Sequence, residues 1–396
     1  MRVGIIGGGP GGSVTAAMLA RQGHEAHIFE STVFPRFRIG ESLLPCNDPI
    51  FADIGLDRER IIGLGSVAKQ GAFFEEAGTG RSVRFTFCDG LPGDPSAIFQ
   101  VERSRFDHLL LENAQRNGAI LHCPARVSSV DLGGELPALL HDEQRSTFDF
   151  IVDASGRETL LARQLSLVDR DCGWRRAAVF GHITDLPPAP GAMPGDVMVS
   201  RAADGWAWQI PFTLSRWSVG LVLPSTTLAG SSPEAFFSAN LDRFPELKAR
   251  LAGRVPEPLR AMPSIAYQVR NRCGRRWAMV GDAGGFLDPV FSAGVLLATR
   301  SGWRLAKTLH ENGADSDLGA WRCPTEHDLA IYRSFINLWY DGDFLTRSFF
   351  TNERDDDLHH GIVSLLAGNT TNLDNRFLAM LARRDSYMRR VTPHLN

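Results

Sequence analysis

The sequence lacks the features that would tie the chain to nucleic acid, a membrane or a disulfide framework. Its 42 basic and 45 acidic residues nearly balance, so charge gives no reason to expect nucleic acid or an anionic membrane as a partner. The six cysteines are scattered and form no C-x-x-C pair, which argues against a zinc site or a set of disulfides. No apolar run approaches the roughly 20 residues that span a bilayer. We therefore expect a soluble, cytoplasmic protein with reduced cysteines and no resident metal.

The start of the chain carries its strongest pattern. A short apolar run over residues 2–6 predicts a buried strand, and a glycine turn follows before a helix from about residue 13 to 21. A second apolar run over 25–29 predicts the neighbouring strand. This order of strand, glycine turn, helix and strand is the one that a dinucleotide site requires. Because the first strand begins at residue 2, we also expect no signal peptide.

Three glycines have separate roles in this predicted site. They form the pattern G-x-G-x-x-G at Gly7, Gly9 and Gly12. Gly7 permits the tight turn, Gly9 lets the backbone approach a pyrophosphate, and Gly12 lets the helix pack closely on the strand. Glu30 follows the second strand, where an acid accepts hydrogen bonds from a ribose. We predict a bound adenine dinucleotide; the alternative is a glycine-rich structural turn.

The segment 34–45 is punctuated by proline and glycine and carries two arginines, as a loop that touches an anionic cofactor would. Its run Phe-Pro-Arg, then Ile-Gly-Glu-Ser-Leu-Leu-Pro, placed after the dinucleotide fingerprint, resembles the flavin-dependent halogenases and the closely related flavoprotein monooxygenases. The resemblance implies that the dinucleotide is FAD and that Arg38 and Ser42 contact it. A surface loop in which Ser42 caps a helix is the structural alternative.

Residues 66–74 predict a strand with one lysine, Lys69, among apolar residues. An ordinary solvent-facing lysine explains that composition equally well. The run Lys-x-Gly-Ala-x-Phe is similar to the segment in which the halogenases place their catalytic lysine, and the resemblance implies that role for Lys69. A lysine partly desolvated beside aromatic groups has a lowered pKa and can act as a nucleophile or hydrogen-bond donor near neutral pH.

Residues 100–107 open a predicted helix that runs to about residue 117. A similar segment of the family brings an arginine to FAD, so the resemblance implies this role for Arg103; a charge on the helix surface is the alternative. Residues 153–156 read Asp-Ala-Ser-Gly, where one-component aromatic hydroxylases usually carry an Asp-Gly motif that helps them receive hydride. This departure predicts that a separate flavin reductase supplies the reduced FAD.

Short alternating strands with proline and glycine turns from about 177 to 264 predict an antiparallel sheet. Trp206 and Trp208 lie two residues apart and should point to the same face of one strand. Two core aromatics of a sandwich are the structural alternative. Trp-x-Trp-x-Ile-Pro is, however, the pattern most associated with flavin-dependent halogenases. The resemblance implies a wall that keeps an organic substrate away from the flavin.

A Gly-Asp-Ala segment follows the next predicted strand, and the family resemblance implies that Asp282 accepts hydrogen bonds from the ribityl hydroxyls of FAD. Residues 286–294 then match a second halogenase pattern, Phe-x-x-Pro-x-x-Ser-x-Gly, which implies Pro289 and Gly294 as cofactor contacts. Unpaired N–H groups at the start of a helix predicted near Val295 can hold a halide or stabilise a flavin anion. The predicted halide site consists of Ser292, Ala293 and Gly294.

Phe291 departs from one branch of the family. It stands immediately before Ser292, where the halogenases of free tryptophan place a glutamate. The resemblance therefore favours the phenol or pyrrole branch over the free-tryptophan branch.

The rest of the chain is predicted to be largely helical, over 297–310, 325 to about 350 and 357 to about 381. Apolar residues recur at helical spacing within 331–339, which indicates core packing, although a substrate entrance is equally open. The acidic and histidine residues of 355–360 lack metal-ligand spacing and are predicted to form a solvated turn.

These patterns predict an α/β fold with two intertwined domains, as the length of 396 residues also favours. A Rossmann-like FAD-binding domain is interleaved with an antiparallel β-sheet substrate domain and followed by a helical C-terminal region, as in aromatic hydroxylases. The FAD-binding domain is assigned to residues 1–75, 98–165 and 270–310. The substrate domain is assigned to 76–97 and 166–269, and the helical region to 311–396.

The resemblance implies an FADH2- and O2-dependent halogenase that forms hypohalous acid by way of a flavin hydroperoxide. Its substrate would be an electron-rich ring, a phenol or pyrrole, either free or attached to a carrier protein or peptide. One alternative is a monooxygenase that hydroxylates an aromatic small molecule or a protein-bound tryptophan. Another is a flavin-dependent isoprenoid reductase, which shares this fold, and the paired tryptophans argue against it.

Overall fold

A six-stranded sheet is one of the two large sheets of the computed structural model, which describes residues 1–170, 175–342, 348–350 and 355–384. All its neighbouring strands pair in parallel except the first two, which form an antiparallel edge. The strands are, in spatial order, Cys273–Gly274, Trp277–Met279, Phe150–Asp153, Arg2–Ile6, Glu25–Phe29 and Ile120–His122. The predicted strands at residues 2–6 and 25–29 are confirmed.

Helices pack against the six-stranded sheet. Its strands are apolar because they are buried beneath these helices. Pro10–Arg21 packs against both Arg103–Arg116 and Gly294–Asn312, and Val3 and Ile5 are completely buried, as expected for a parallel sheet. The first helix begins three residues earlier than predicted, at Pro10. A proline fits the first turn of a helix because its fixed φ suits that position and no N–H is needed there.

A seven-stranded sheet is the second large sheet of the protein. Its strands pair antiparallel, except that Val197–Arg201 runs parallel to Gly71–Glu76. The order is Arg260–Met262, Arg176–Thr184, Arg216–Pro224, Trp206–Pro211, Val197–Arg201, Gly71–Glu76 and Arg81–Thr86. This sheet therefore includes residues 71–75, which lie on the other side of the domain boundary that we place at residue 75. The division into domains remains a proposal.

Smaller sheets and short helices connect the two large sheets. Val67–Lys69 pairs with Ile98–Gln100. The other small strands are Val127–Asp131, Ala138–His141, Gln144–Thr147, Val168–Asp169, Tyr267–Val269 and Gly285–Phe286. The short helices are Asp48–Asp53, Arg58–Ile62, Leu160–Gln164, Ser225–Leu228, Pro233–Asn240 and Pro245–Leu251.

The carboxyl-terminal helices differ from the prediction at several ends. They are Gly294–Asn312, Gly319–Tyr340, Asp356–Leu366 and Arg376–Arg384. The single helix predicted from 357 to 381 is wrong: Gly368 has a φ of +102°, and the Asn375 side chain accepts from the N–H groups of Phe377 and Leu378 to start a new helix. Part of the helix predicted up to residue 350, residues 343–347, lies outside the described residues.

The turn predicted over 355–360 is also wrong. Asp355 accepts a 3.1 Å hydrogen bond from the N–H of Leu358 and caps the helix Asp356–Leu366. By contrast, the apolar residues of 331–339 pack into the core as predicted: Ile331, Phe335 and Trp339 are almost completely buried. Among the described residues, no helix combines the length and apolarity needed to cross a bilayer.

Candidate functional site

A cavity of about 660 Å³ lies where the two large sheets meet. The carboxyl ends of the parallel strands open into it through Gly7, Glu30, Ala154 and Val280. Ligands of open α/β sheets bind at this edge. From the seven-stranded sheet the cavity receives mainly apolar side chains, including Phe180, Trp206, Trp208 and Ile210.

The three predicted glycines are required for different reasons. Gly7 has a φ of +99°, and a Cβ there would lie 2.5 Å from the carbonyl oxygen of Ala154. A Cβ on Gly12 would lie 2.0 Å from the carbonyl oxygen of Gly7. Gly9 lines the cavity, and a Cβ there would meet only an Arg36 guanidinium nitrogen, at 3.5 Å. Gly7 and Gly12 therefore shape the turn, whereas Gly9 leaves space that a phosphate group can occupy.

Glu30 lies at the cavity with its carboxylate held in place. It accepts 2.9 Å hydrogen bonds from the N–H groups of Gly8 and Thr32, and the nearest guanidinium nitrogen of Arg36 is 3.6 Å away. The side chain is buried. A carboxylate has room for further donors, so the geometry fits the predicted hydrogen bonds from ribose hydroxyls.

Two arginines share one buried carboxylate beside the glycine turn. Arg103 donates to Asp107 through Nε at 2.8 Å, and Arg36 donates to the other carboxylate oxygen at 3.3 Å. Arg103 also donates to the carbonyl of Ile39 at 2.7 Å. Arg103 is predicted from the sequence as a cofactor contact and Arg36 is not, although Arg36 lies in the same loop as Arg38. Arg38 is exposed on the cavity rim and donates to the carbonyl of Phe37.

Arg36 provides a direct test of whether the residues fit a bound anion. Its guanidinium lies at the cavity beside Gly9. Its Nε is buried and has no hydrogen-bond partner in the described part of the chain. Buried donors are normally satisfied. The Arg36 guanidinium also carries positive charge beside the open space at Gly9, so the site fits the pyrophosphate of an adenine dinucleotide such as FAD.

Asp282 lines the same cavity. It belongs to a short turn of 3-10 helix, Gly281–Gly284, after the strand Trp277–Met279. Burial raises the pKa of its carboxyl group to about 6, although Arg157 and Arg103 oppose that shift. The carboxylate is therefore mostly charged above this pH and can accept hydrogen bonds from hydroxyl groups, as the resemblance implies.

Trp206 and Trp208, which we call the tryptophan wall, line the cavity on the side of the seven-stranded sheet. Their ring centroids are 5.7 Å apart, so the prediction that they share a face is confirmed. The indole N–H of Trp208 donates to Ser218 at 3.0 Å. A Cβ on Gly220 would lie 2.3 Å from the Trp208 ring. Glycine at 220 therefore allows Trp208 to lie flat on the neighbouring strand.

Lys69 does not line the cavity but lies buried behind its boundary, with only 1 % of the side chain exposed. Its Nζ donates to Ser42 Oγ at 2.9 Å and to the carbonyl of Leu43 at 2.8 Å. It lies 5.3 Å from the centre of the Phe87 ring. Burial lowers the pKa of Lys69 to about 7, although Asp196 opposes the shift. We call this group of residues the lysine site.

Ser42 belongs to both regions, because it lines the cavity and accepts the hydrogen bond from Lys69. It does not cap a helix, and the segment around it is irregular as predicted. Its side chain therefore connects the lysine site to the cavity. Whether it also contacts FAD, as the resemblance implies, stays a prediction.

The predicted halide site forms a tight turn before a long helix. Pro289–Phe291 is a turn of 3-10 helix, Ser292 has a φ of +58°, and the helix begins at Gly294. Pro289, Ser292 and Gly294 line the large cavity. Ala293 lines a smaller cavity of about 40 Å³, which Pro289 and Gly294 also line. The assignment of these residues to a halide remains a prediction.

Phe291 points away from the large cavity. Its ring stacks on that of Phe335 with centroids 3.7 Å apart and meets Trp339 edge-on at 5.7 Å. The residue that departs from the free-tryptophan branch is therefore part of the apolar core under the turn.

Two comparisons with known sequences agree on the family. The family model described as "Tryptophan halogenase" matches residues 2–92 and 90–367. The tryptophan 2-halogenase of Chondromyces crocatus is 31% identical over 361 residues, which is 86% of this chain and 65% of that protein. The 1H-pyrrole-2-carbonyl-[peptidyl-carrier protein] chlorinase of Pseudomonas fluorescens is 28% identical over 379 residues, covering 88% of this chain and 83% of that protein.

The fold is similar to solved flavoprotein structures. The flavoprotein/dehydrogenase of Cytophaga hutchinsonii superposes with a TM-score of 0.88 at 27% identity and covers 96% of each chain. The predicted fold class is thereby confirmed. The chain spans about two thirds of the length of the Chondromyces relative, so the activity of that whole protein is not transferred to this one.

Proposed function

The chain belongs to the tryptophan halogenase family, and from this membership we propose that it halogenates an electron-rich aromatic ring, a phenol or a pyrrole. The resemblance seen in the sequence is confirmed, as is an FAD-dependent enzyme of the oxidoreductase type. The substrate, its attachment to a carrier and the separate reductase belong to the proposal.

One observation supports halogenation above all: the cavity and the lysine site are separate, and Ser42 lies between them. The tryptophan wall and the glycine turn line one cavity, while Lys69 lies behind it in hydrogen-bond contact with Ser42. A monooxygenase needs its organic substrate inside the cofactor cavity. A halogenase needs only a small inorganic oxidant to pass from the cavity to the lysine.

FAD, when bound and reduced, would supply the two electrons that bring oxygen to the peroxide level, and this oxidant would convert a halide to hypohalous acid. Gly9, Arg36 and Arg103 would hold its pyrophosphate, Glu30 its ribose and Asp282 its ribityl chain. The tryptophan wall closes the apolar side of the cavity and excludes an aromatic substrate from it. The N–H groups of the turn 292–294 would hold the halide anion.

Lys69 then orients hypohalous acid beside the ring to be halogenated. Because the pKa of Lys69 is about 7, both the ammonium and the neutral amine are populated near neutral pH. The ammonium can donate a hydrogen bond to the oxygen of hypohalous acid. The ring carbon takes the halogen and loses a proton, and the oxygen leaves as water. Holding the oxidant at one place decides which carbon reacts.

The substrate class is proposed from one residue and one relative. Phe291 occupies the position before Ser292 and is fully engaged in core packing. The Pseudomonas relative acts on a pyrrole carried by a peptidyl-carrier protein, as its name states. We therefore propose a phenol or pyrrole, either free or attached to a carrier. Since the Chondromyces relative is named a tryptophan 2-halogenase, tryptophan belongs in the substrate panel.

The test is the variant Lys69→Ala, assayed with a flavin reductase, FAD, oxygen and either chloride or bromide. Lys248→Ala is the matched control because that lysine is exposed and far from the cavity lining. We expect Lys69→Ala to lose halogenated product by at least about 100-fold while it still reoxidises reduced FAD. Products from phenol, pyrrole and tryptophan derivatives are measured by mass spectrometry.

Hydroxylated products from the wild-type protein, retained in Lys69→Ala, would contradict the proposal. They would mean that an organic ring enters the cofactor cavity and that Lys69 has a structural role only.

A further inference from the structure

The tryptophan wall and the predicted halide turn are joined by a buried chain of hydrogen bonds that neither sequence motif includes. The indole N–H of Trp206 donates to the hydroxyl of Tyr340 at 3.2 Å. That hydroxyl donates to Asp288 Oδ2 at 2.6 Å. Tyr340 is the last residue of the helix Gly319–Tyr340, so three separate elements meet at one phenol oxygen.

Asp288 connects this chain of hydrogen bonds to the predicted halide turn. Its other oxygen accepts a 3.1 Å hydrogen bond from the N–H of Val290 and caps the 3-10 turn Pro289–Phe291. That cap sets the backbone that leads to the left-handed Ser292. The position of Asp288 therefore determines where Pro289 and Ser292 face the cavity.

The chain of hydrogen bonds is buried and has a charged group beside it. Asp288 is 4 % exposed and Trp206 is 2 % exposed, and the guanidinium of Arg176 lies 4.3 Å above the centre of the Tyr340 ring. A buried indole N–H requires an acceptor. A carboxylate that accepts from a hydroxyl at this short distance forms one of the stronger types of hydrogen bond. Such a contact is costly to leave unmade once the groups are desolvated.

We propose that Tyr340 and Asp288 are positioning residues that hold the tryptophan wall and the turn 288–294 in fixed register. Neither residue lines the cavity of about 660 Å³. Tyr340 keeps the Trp206 ring against the cavity, and Asp288 keeps the turn in the conformation that presents its N–H groups. The role of this register in halide binding rests on the proposed function.

The first test does not depend on that function. Tyr340→Phe keeps the ring under Arg176 but removes the hydroxyl that joins Trp206 to Asp288. Tyr332→Phe is the matched control, because Tyr332 lies on the same helix and donates to the carbonyl of Leu365 at 3.3 Å instead. Hydrogen exchange of peptides that cover residues 286–295 is measured by mass spectrometry on the FAD-loaded proteins. We expect at least about fivefold faster exchange in Tyr340→Phe and no change in Tyr332→Phe.

The second test measures how hydrogen exchange of the turn depends on pH. A hydroxyl with a purely structural role would produce no such dependence. Burial raises the pKa of Asp288 to about 6, although the hydrogen bonds from Tyr340 and Val290, the charge of Arg176 and the nearby indole N–H of Trp206 oppose the shift. Of the groups that act on the carboxylate, Tyr340 is titratable and Arg176 is charged. Between pH 7 and pH 5 the carboxylate is protonated and becomes a weaker acceptor. Exchange protection of the turn, corrected for the intrinsic rate, should fall over this range in the wild type and stay level in Asp288→Asn.

A bromide titration of the FAD-loaded protein, followed by its visible spectrum, tests the proposed halide site separately from the proposed positioning role of Tyr340 and Asp288. We expect bromide to bind several-fold more weakly to Tyr340→Phe than to wild type or Tyr332→Phe. A wild-type protein with no response to bromide would contradict the halide assignment, and the register would still be judged by exchange. Unchanged exchange in Tyr340→Phe, with the protein folded as judged by its thermal unfolding, would overturn the inference.

Discussion

The glycine turn and the lysine site lie on either side of Ser42 and differ in how far the protein satisfies their polar groups. At the glycine turn, Arg36 Nε lacks a partner among the described residues, and Gly9 leaves open space. At the lysine site, Lys69 makes two hydrogen bonds and is 1 % exposed. The first region is incomplete without a large anionic ligand. The second isolates a reactive amine from the solvent and from such a ligand.

The largest effect is expected inside the glycine turn. In Gly12→Ala, the new Cβ would lie 2.0 Å from the carbonyl oxygen of Gly7, so the backbone must move. We expect the free energy of unfolding of the apoprotein to fall by about 3 kcal/mol, at the upper end of overpacking effects. Urea unfolding of the FAD-free protein measures it.

Gly9→Ala is the matched control for that prediction. Gly9 has an extended backbone at the start of the helix, and its Cβ would meet no backbone atom within 3.5 Å. We expect its apoprotein stability to stay within about 0.5 kcal/mol of wild type, while its affinity for FAD falls by at least about tenfold. Equal loss of stability in both variants would show that the turn is a structural feature without a special opening at Gly9.

Replacing Lys69 at the lysine site should change the free energy of unfolding by a smaller amount, and this change should depend on pH. The pKa of Lys69 is about 7 in the folded protein against an ordinary value of 10.5. Between these values the unfolded chain binds a proton that the folded chain does not, so the stability of the wild type rises with pH at about 1.4 kcal/mol per pH unit. Lys69→Met has no such titration. Its free energy of unfolding relative to wild type should therefore fall by about 2 kcal/mol between pH 7 and pH 9.

The control for this prediction is Lys248→Met, whose lysine is exposed. Its difference from wild type should stay constant over the same pH range. Urea unfolding at each pH gives both differences. A constant difference for Lys69→Met would mean that the amine keeps an ordinary pKa and is not desolvated as the structure shows.

The glycine turn could be predicted from the sequence because its chemistry is local. Gly7, Gly9, Gly12 and Glu30 lie within one strand, turn, helix and strand unit, and each has a distinct steric or hydrogen-bonding reason. The resemblance to the family supplied Lys69 and the tryptophan wall. The paired helices after residue 356 were missed because one glycine and one capping asparagine interrupt an otherwise continuous apolar pattern.

Other features depend on contacts between distant segments. Lys69 lies on a strand of three residues, and its burial comes from Ser42, Leu43 and Phe87, none of which is its neighbour in sequence. Trp206 and Tyr340 are 134 residues apart. No periodicity or spacing indicates such a pair. Arg36 could have been found, because it lies in the same loop as Arg38 and two residues after an aromatic ring that it covers.

The smallest effect is expected at Ser42, where the two regions meet. Ser42→Ala removes one of the two acceptors of Lys69 and should lower the free energy of unfolding by about 1 kcal/mol. If Ser42 mainly bridges to the lysine, the variant should bind FAD within about twofold of wild type yet halogenate much more slowly. If Ser42 mainly contacts FAD, affinity should fall by tenfold or more. Ser364→Ala is the matched control because that buried hydroxyl has no hydrogen-bond partner in the described structure. Its loss should change neither the affinity for FAD nor the rate of halogenation. An FAD titration beside a product assay therefore decides whether this serine belongs to the cavity or to the lysine site.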